Sequence, residues 1–316
     1  MLEFIGLTFT FFGIILAGAL GKAFGWFGAD CGRTLSRFAF FIALPPLMFI
    51  SIISNPIADI MNLDFILRYE IGSLLIFGIA FLFARYIFQI NAQGKAIFAL
   101  NATFPNYGFM GIPLIFLLFG SEAAIPVALI LVFDAIILLL LVSFFSSFES
   151  DESIYSNLKV ALRALTKNPL LLSALAGFIF SIMGLELGKL PKTAFNILAG
   201  AAAPTALFAL GINLVEKPSA KDIGEITFLA ITKLVIHPIL VLSLFIFWPA
   251  TEETPIPDMW ISVAVILASL PIAANAYALS EYYKSYTHKT SAAIFVSTVF
   301  ACLTLPAFIY LASKPF

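Results

Sequence analysis

The chain has 316 residues, of which 61% are hydrophobic and only 11% are charged, and its mean hydropathy is +1.05. Soluble domains carry about 25% charged residues, so this composition predicts a polytopic membrane protein and excludes a sizeable soluble domain. The formal net charge of −1 gives no reason to expect nucleic-acid binding.

Hydropathy and helix breakers predict an all-α protein with ten transmembrane helices, since one helical crossing takes about 20 residues. The first six residues contain no basic n-region, so we interpret the first apolar run as a span rather than as a cleaved signal peptide. The predicted spans are residues 2–22, 34–54, 64–88, 93–119, 122–148, 168–186, 192–214, 222–248, 258–282 and 289–313.

The 17 Lys and Arg residues are divided unequally between the two sets of loops that alternate along the chain. Lys233 lies within a span, twelve residues fall in one set of loops, and four fall in the other. This positive-inside bias places both termini on the non-cytoplasmic side. The larger set is Lys22, Arg33, Arg37, Arg85, Lys95, Lys159, Arg163, Lys167, Lys217, Lys221, Lys284 and Lys289; the smaller is Arg68, Lys189, Lys192 and Lys314.

The longest polar link, residues 149–167, falls halfway along the chain and is predicted to be a cytoplasmic linker. It separates a first five-helix repeat, residues 1–148, from a second, residues 168–316, and an odd number of spans per half makes the two repeats inverted. Spans four and nine are both interrupted in the middle, at Pro105 and Pro271. A single proline would indicate only a kink, whereas matched interruptions in two inverted halves indicate the midplane site of a secondary transporter.

The interruption in span four, residues 101–113, is built to end a helix inside an apolar stretch. Pro105 has no backbone N–H and clashes with the preceding turn, while Gly108 and Gly111 weaken the helix that follows. In hydrocarbon an unpaired backbone group costs several kcal/mol, so such a break persists only where protein or a water-filled cavity satisfies it. This segment is therefore the first candidate for a binding site.

At these residues the chain resembles the auxin efflux carrier family, which includes the plant PIN auxin exporters and bacterial malonate-type carriers. Pro105-Asn106 followed by Gly-Ile-Pro-Leu at 111–114 resembles the family's fourth-span motif. Leu270-Pro271 followed by Glu281-Tyr282 is similar to its ninth-span pattern. The similarity covers essentially the whole chain. It implies the crossover fold of bile-acid symporters and sodium/proton antiporters, in which helices 4 and 9 are broken and cross at the membrane centre.

The resemblance also implies that the helices form two functional parts, a scaffold and a transport domain. Helices 1, 2, 6 and 7 would form a scaffold that dimerises, and helices 3–5 and 8–10 would form a transport domain that moves like an elevator. The implied substrate is a small organic carboxylate, and the implied location is the bacterial inner membrane. The expected partners are this substrate, the lipid bilayer and a second copy of the chain, with no nucleic acid.

Asn106 is the first candidate for substrate binding, because an amide offers N–H donors to a carboxylate and a carbonyl to a cation. The resemblance matches it to the fourth-span asparagine that contacts the substrate carboxylate; the alternative is that it only caps the following half-helix. Asn275 is its approximate counterpart in span nine, with binding and capping both open. Asn101 and Tyr107 are candidates for lining the same cavity, and Phe49 for an apolar wall. Plain packing is the alternative for the two aromatic residues.

Ionisable residues inside a span are costly in lipid and are therefore functional candidates. Asp134 lies near the middle of span five and Lys233 near the middle of span eight, where they would compensate half-helix dipoles or couple transport to protons. Glu281 fits the ninth-span pattern and belongs to the same candidate set. Glu70 is expected nearer a membrane face, and Arg68 is expected to snorkel to the outer interface.

The sequence predicts a secondary active transporter of small organic anions, either auxin-like monocarboxylates or malonate-like dicarboxylates, that works by alternating access. It contains no nucleophile elbow, zinc motif or Gly-rich phosphate loop, so neither an enzyme nor ATP-driven transport is predicted. No metal or cofactor is expected beyond H⁺ or Na⁺ as a coupling ion. The alternatives are a sodium-coupled bile-acid-type symporter and, in another class, a non-transporting membrane ligand sensor.

Overall fold

The computed structural model describes residues 2–28, 30–55, 62–147, 154–214, 222–248 and 255–314. Within these ranges all regular structure is helical apart from one isolated antiparallel bridge, which confirms the predicted all-α class for this part of the chain. We number the helices in chain order. They are α1 (Leu2–Ala23), α2 (Cys31–Phe38), α3 (Leu44–Ile53), α4 (Leu63–Tyr86), α5 (Ala92–Thr103), α6 (Ile112–Phe119), α7 (Ala124–Ser147), α8 (Ile154–Thr166), α9 (Pro169–Ile182), α10 (Lys189–Gly200), α11 (Ala202–Asn213), α12 (Ile223–Ile231), α13 (His237–Phe247), α14 (Asp258–Ala268), α15 (Asn275–Tyr282) and α16 (Thr287–Ala312).

Among the described residues, six helical stretches are long and apolar enough to cross a membrane. The number rises to seven if α8 and α9, which are bent by 62° at their junction, count as one span. Two further apolar helical stretches, Phe9–Ala23 and α14, are shorter than a full crossing. Ten spans and their inverted repeat therefore stay a prediction. The predicted linker contains α8, and its first residues, 149–153, lie outside the described ranges.

Three of the helices begin directly after a single π-helical turn, and each of these helices has proline at its first or second positions. A proline cannot donate to the carbonyl one turn earlier and its ring displaces that carbonyl, so the preceding turn widens. The prolines thus explain where the regular hydrogen-bonding pattern is interrupted within longer helical stretches. The π-helical turns are Ala39–Ala43 before α3, Tyr107–Gly111 before α6 and Thr232–Ile236 before α13.

The chain divides into two compact units, each made of segments that are distant in sequence. Unit 1 comprises Met1–Asn62, Tyr107–Leu129 and Asn168–Val215, and unit 2 comprises Leu63–Asn106, Ile130–Lys167 and Glu216–Phe316.

Unit 1 contains a close contact between the backbones of α1 and α11. A Cβ atom at Gly18 would lie 2.2 Å from the backbone oxygen of Phe208, and one at Gly211 would lie 1.9 Å from the backbone oxygen of Ile15. Only glycine fits at such distances. This is the small-residue packing by which membrane helices associate when lipid provides no hydrophobic drive between them.

Unit 2 has α14 in its interior. Every residue of α14 from Trp260 to its end is buried, and its neighbours are α4, α13 and α16. A helix that is apolar on all sides is stable only when protein surrounds it. Because α14 ends at Ala268 inside this unit, its last carbonyl groups need partners from other elements.

Candidate functional site

Two extended segments of unit 2, residues 104–106 after α5 and residues 271–273 after α14, pair through their backbones. Pro105 and Ile272 form an antiparallel bridge. Two hydrogen bonds of 2.9 Å flank it, from the Asn106 N–H to the Pro271 carbonyl and from the Ala273 N–H to the Phe104 carbonyl. The backbone N–H and carbonyl groups at each break, which have no partner in a helix, are thus hydrogen-bonded to the other break. Buried backbone groups require such partners.

Asn106 and Asn101 are both buried in unit 2. Asn106 is 3% exposed, and its backbone is fixed by the hydrogen bond to the second extended segment. The side-chain amide of Asn101 donates to Oγ1 of Thr290 at 2.8 Å, which links α5 to α16. Asn101 therefore has a packing role whether or not it also lines a cavity.

Asn275 is the exposed first residue of α15, and the cap position before it is Ala274. The first turn of a helix carries its positive end, and in α15 the N–H groups of Ala276 and Tyr277 already donate to the Ala273 and Ala274 carbonyls. Asn275 therefore lies at a terminus that favours an anion. Glu281, near the other end of α15, is exposed and accepts a hydrogen bond from the Tyr277 hydroxyl at 3.2 Å.

Tyr107, Gly108 and Gly111 belong to unit 1 and form part of the π-helical turn before α6. Tyr107 is buried. A Cβ atom at Gly108 would lie 3.2 Å from the side chain of Leu170 and 3.6 Å from that of Phe40, so glycine permits close packing here. The structure thus gives Gly108 a local packing reason.

Phe49 also belongs to unit 1, where it lies on α3 among aromatic side chains. Its ring centroid is 5.5 Å from that of Phe180 and 5.7 Å from that of Phe195, both in edge-on geometry. Such pairs stabilise packing by about 0.5–1.5 kcal/mol. Packing, the alternative given for this residue, is what its described contacts show.

Lys233 is fully buried in the π-helical turn between α12 and α13. Its Nζ donates to the carbonyl oxygen of Ala268 at 2.6 Å. Since Ala268 is the last residue of α14, the ammonium binds at the negative end of that helix, shortly before the second extended segment. Lys233 therefore offsets a partial negative charge next to the paired breaks.

His237 is fully buried one turn after Lys233. Its Nδ1 lies 3.2 Å from the Lys233 Nζ, and its Nε2 lies 3.3 Å from the Ser73 hydroxyl on α4. When Lys233 is protonated its Nζ can only donate, so Nδ1 accepts and the ring proton on Nε2 donates to Ser73. Both ring nitrogens of His237 are thus paired.

Two carboxyl groups, those of Asp134 and Glu70, are buried in unit 2, which also contains Lys233. Asp134 on α7 is fully buried and interacts electrostatically with both Lys233 and Glu70. Glu70 on α4 is 3% exposed, so the structure places it inside the protein. Hydropathy could not show that Glu70 is buried. The available sequence signal was that Glu70 and Ser73, three residues apart, lie on the same face of a helix. In the described ranges, no three His, Cys, Asp or Glu side chains come together as metal ligands.

Arg68 does not snorkel as expected, because its side chain is only 1% exposed. It donates to the backbone carbonyl of Trp248 and to the Asp64 carboxylate, the latter at 3.1 Å, and it lies over the rings of Phe245 and Trp248. The protein therefore supplies the partners that a snorkelling arginine would find at the interface. The spacing of Asp64 and Arg68, four residues apart on a helix, was the available sequence signal.

A separate polar cluster joins the start of α12 to the start of α16. Lys289 Nζ lies 2.6 Å from the Glu225 carboxylate and 3.4 Å from that of Asp222, and the Tyr286 hydroxyl donates to Glu225. Burial of the phenol, its hydrogen bond to Glu225 and the nearby negative charges raise the pKa of Tyr286 well above its ordinary value. This cluster stabilises one end of unit 2.

Comparison with known proteins matches residues 4–309 to the family described as membrane transport protein. The chain is 29% identical over 322 residues to the "Putative malonate transporter" of Rhizobium meliloti, which covers 98% of the chain and 96% of that protein. It is 27% identical over 312 residues to an uncharacterized transporter of Methanothermobacter thermautotrophicus, covering 96% and 97%. It is 24% identical over 315 residues to the uncharacterized transporter YfdV of Escherichia coli, covering 97% of each.

Proposed function

Since the chain belongs to the membrane transport protein family, the auxin efflux carrier type that its motifs resemble, we propose that it is a secondary active transporter of small organic anions. The family and the names of the relatives indicate a polytopic membrane transporter rather than an enzyme. The proposal adds the substrate class and the mechanism. A carboxylate binds at the paired breaks of unit 2 and becomes accessible to each side of the membrane in turn.

The observation that supports this site most strongly is the backbone pairing of residues 104–106 with residues 271–273. Irregular backbone at membrane depth is tolerated where protein or a cavity satisfies it, and transporters place their substrates at such discontinuous helices. Asn106 stands in this pairing and carries an amide whose N–H groups suit a carboxylate. It is therefore the proposed substrate ligand, with Asn275 contributing from the start of α15.

The charges around the breaks favour an anion. The start of α15 is the positive end of a helix. The end of α14 would repel an anion, but Lys233 occupies its last carbonyl. No ionisable residue lies in either extended segment itself, so a dianion needs the Lys233 ammonium or a co-bound cation.

The name of the Rhizobium meliloti relative makes malonate the first compound to test. At 29% identity the name supports a class, and an auxin-like monocarboxylate such as indole-3-acetate belongs to the same proposed class. A gradient of H⁺ or Na⁺ energises transport. The predicted helices 3–5 and 8–10 form the domain that moves, and the predicted helices 1, 2, 6 and 7 form the scaffold of a homodimer.

Transport by the purified protein in liposomes tests this function. Radiolabelled malonate and indole-3-acetate are supplied with an inward sodium gradient, an inward proton gradient or no gradient, and exchange is measured with the same acid inside. We expect protein-dependent exchange of at least one acid, absent from protein-free liposomes. Binding without exchange or uptake would contradict the proposal and favour the ligand sensor. In a parallel set of liposomes supplied with a radiolabelled bile acid, sodium-dependent uptake of that acid without transport of malonate or indole-3-acetate would favour the bile-acid-type symporter.

A further inference from the structure

Glu70 is a buried carboxyl group to which the transport mechanism has so far given no role. It is 3% exposed, and neither of its carboxyl oxygens has a hydrogen-bond partner among the described residues. Its neighbouring charge is the equally buried Asp134. An ionised carboxylate without donors is costly to bury, and two buried carboxylates that interact electrostatically resist being ionised together. One bound proton removes both penalties, so the pair titrates as a unit.

Other charged or titratable groups lie on α4 and on the elements packed against it. Lys233 interacts electrostatically with Asp134 and contacts His237, which in turn contacts Ser73, one turn after Glu70. The remaining groups are Asp64, Arg68, Tyr69, Arg85 and Tyr86 on α4, Lys95 on α5 and Asp258 on α14.

We propose that Glu70, paired with Asp134, is the proton-binding site that couples anion transport to the proton gradient. This inference rests on the proposed transport function and names its coupling ion. Glu70 takes a proton from hydronium on one side of the membrane, so that one O–H bond of hydronium breaks as the carboxyl O–H bond forms. On the other side the carboxyl O–H bond breaks and the proton returns to water as hydronium.

Lys233 is the physical link between the proton site and the substrate site. With Glu70 protonated, the pair carries one negative charge, which the ammonium balances while it holds the Ala268 carbonyl. With Glu70 ionised, the second negative charge draws the ammonium toward the pair and exposes the negative end of α14 to the anion. The anion therefore binds better when the proton is present, and the proton binds better when the anion is present.

The test compares net accumulation with exchange in proteoliposomes whose membrane potential is held at zero by valinomycin and equal potassium. If one proton enters with each anion, an inward proton gradient of one pH unit sustains a malonate concentration about tenfold higher inside the liposomes than outside. Glu70→Gln mimics the protonated acid, so we expect malonate exchange to continue while the ratio of inside to outside malonate falls to about one. Glu186→Gln is the matched control, because Glu186 is an exposed carboxylate in the loop between α9 and α10, and it should accumulate malonate like the wild type.

Two further measurements do not depend on how well the glutamine variant folds. Glu70→Asp keeps a carboxyl group and should keep accumulation above one. Pyranine trapped inside wild-type liposomes should report about one proton entering with each malonate. A Glu70→Gln protein that still accumulates malonate tenfold would overturn the inference, as would wild-type net malonate uptake without proton entry. In both cases exchange would leave the transport function standing, whereas a wild type that exchanges neither malonate nor indole-3-acetate would overturn both proposals.

Discussion

Replacing Lys233 by methionine tests whether its ammonium holds the interior of unit 2 together. Methionine keeps a similar length and volume but has no donor. The variant removes the hydrogen bond to the Ala268 carbonyl, the contact with His237 Nδ1 and the positive charge with which Asp134 interacts. Both acceptors are buried, so water does not replace the lost donor.

The expected loss follows from these contacts. A hydrogen bond involving a charged group contributes about 1.5–3 kcal/mol in soluble proteins, and hydrogen bonds between membrane helices average about 0.6 kcal/mol with a maximum near 1.7. For two buried, charge-assisted contacts we expect a loss of about 2–4 kcal/mol. Removing a buried ammonium relieves its desolvation, but losing its attraction to Asp134 opposes that gain.

The assay is unfolding in mixed detergent micelles with increasing sodium dodecyl sulfate, followed by the far-ultraviolet helix signal. Lys192→Met, at an exposed position on α10, is the control and should lie within about 0.5 kcal/mol of the wild type. Asp134→Asn and the double variant with both substitutions complete a double-mutant cycle. The double variant should lose about 1–3 kcal/mol less stability than the sum of the losses in the two single variants. An unchanged Lys233→Met protein, or additive single effects, would refute the proposed charge balance.

Two further predictions concern packing and pH. Gly211→Ala places a Cβ 1.9 Å from the backbone oxygen of Ile15, so α1 and α11 must separate. We expect a loss of about 1–3 kcal/mol and a lower melting temperature, whereas Gly200→Ala, with nothing within 4 Å of its Cβ, should melt like the wild type. The raised pKa of Tyr286 keeps its phenol protonated in the folded protein, while the unfolded chain releases that proton above about pH 10. Stability should therefore fall as pH rises beyond about 10, and Tyr286→Phe should flatten this fall; identical profiles would contradict it.

The positions where the helices break could be predicted from the sequence, but the pairing of one break with the other could not. Pro105 and Pro271 remove backbone donors inside apolar runs, and this chemistry is visible in a single chain. The pairing of Pro105 with Ile272 joins positions 167 residues apart (272 − 105), and its register depends on how α5 and α14 approach each other. Nothing in local spacing encodes that approach.

The contacts and the burial of the charged residues could not be predicted from the sequence either. Lys233 stands out because it interrupts an apolar span, but its partner is a backbone carbonyl of Ala268, which has no sequence signature. Glu70 and Arg68 were expected near the membrane faces because they lie close to one end of a span, and the structure buries both. Hydropathy reports how apolar a helix is, but it does not show which side faces protein rather than lipid.

Asn106→Ala is the most direct test of whether a carboxylate binds at the paired breaks through Asn106. Asn196 on α10 is exposed, so Asn196→Ala is the control. A hydrogen bond to a charged group contributes about 1.5–3 kcal/mol, so the malonate concentration that half-saturates exchange should rise about 10- to 100-fold in Asn106→Ala. It should stay unchanged in Asn196→Ala. Equal half-saturation in Asn106→Ala and the wild type would contradict the account.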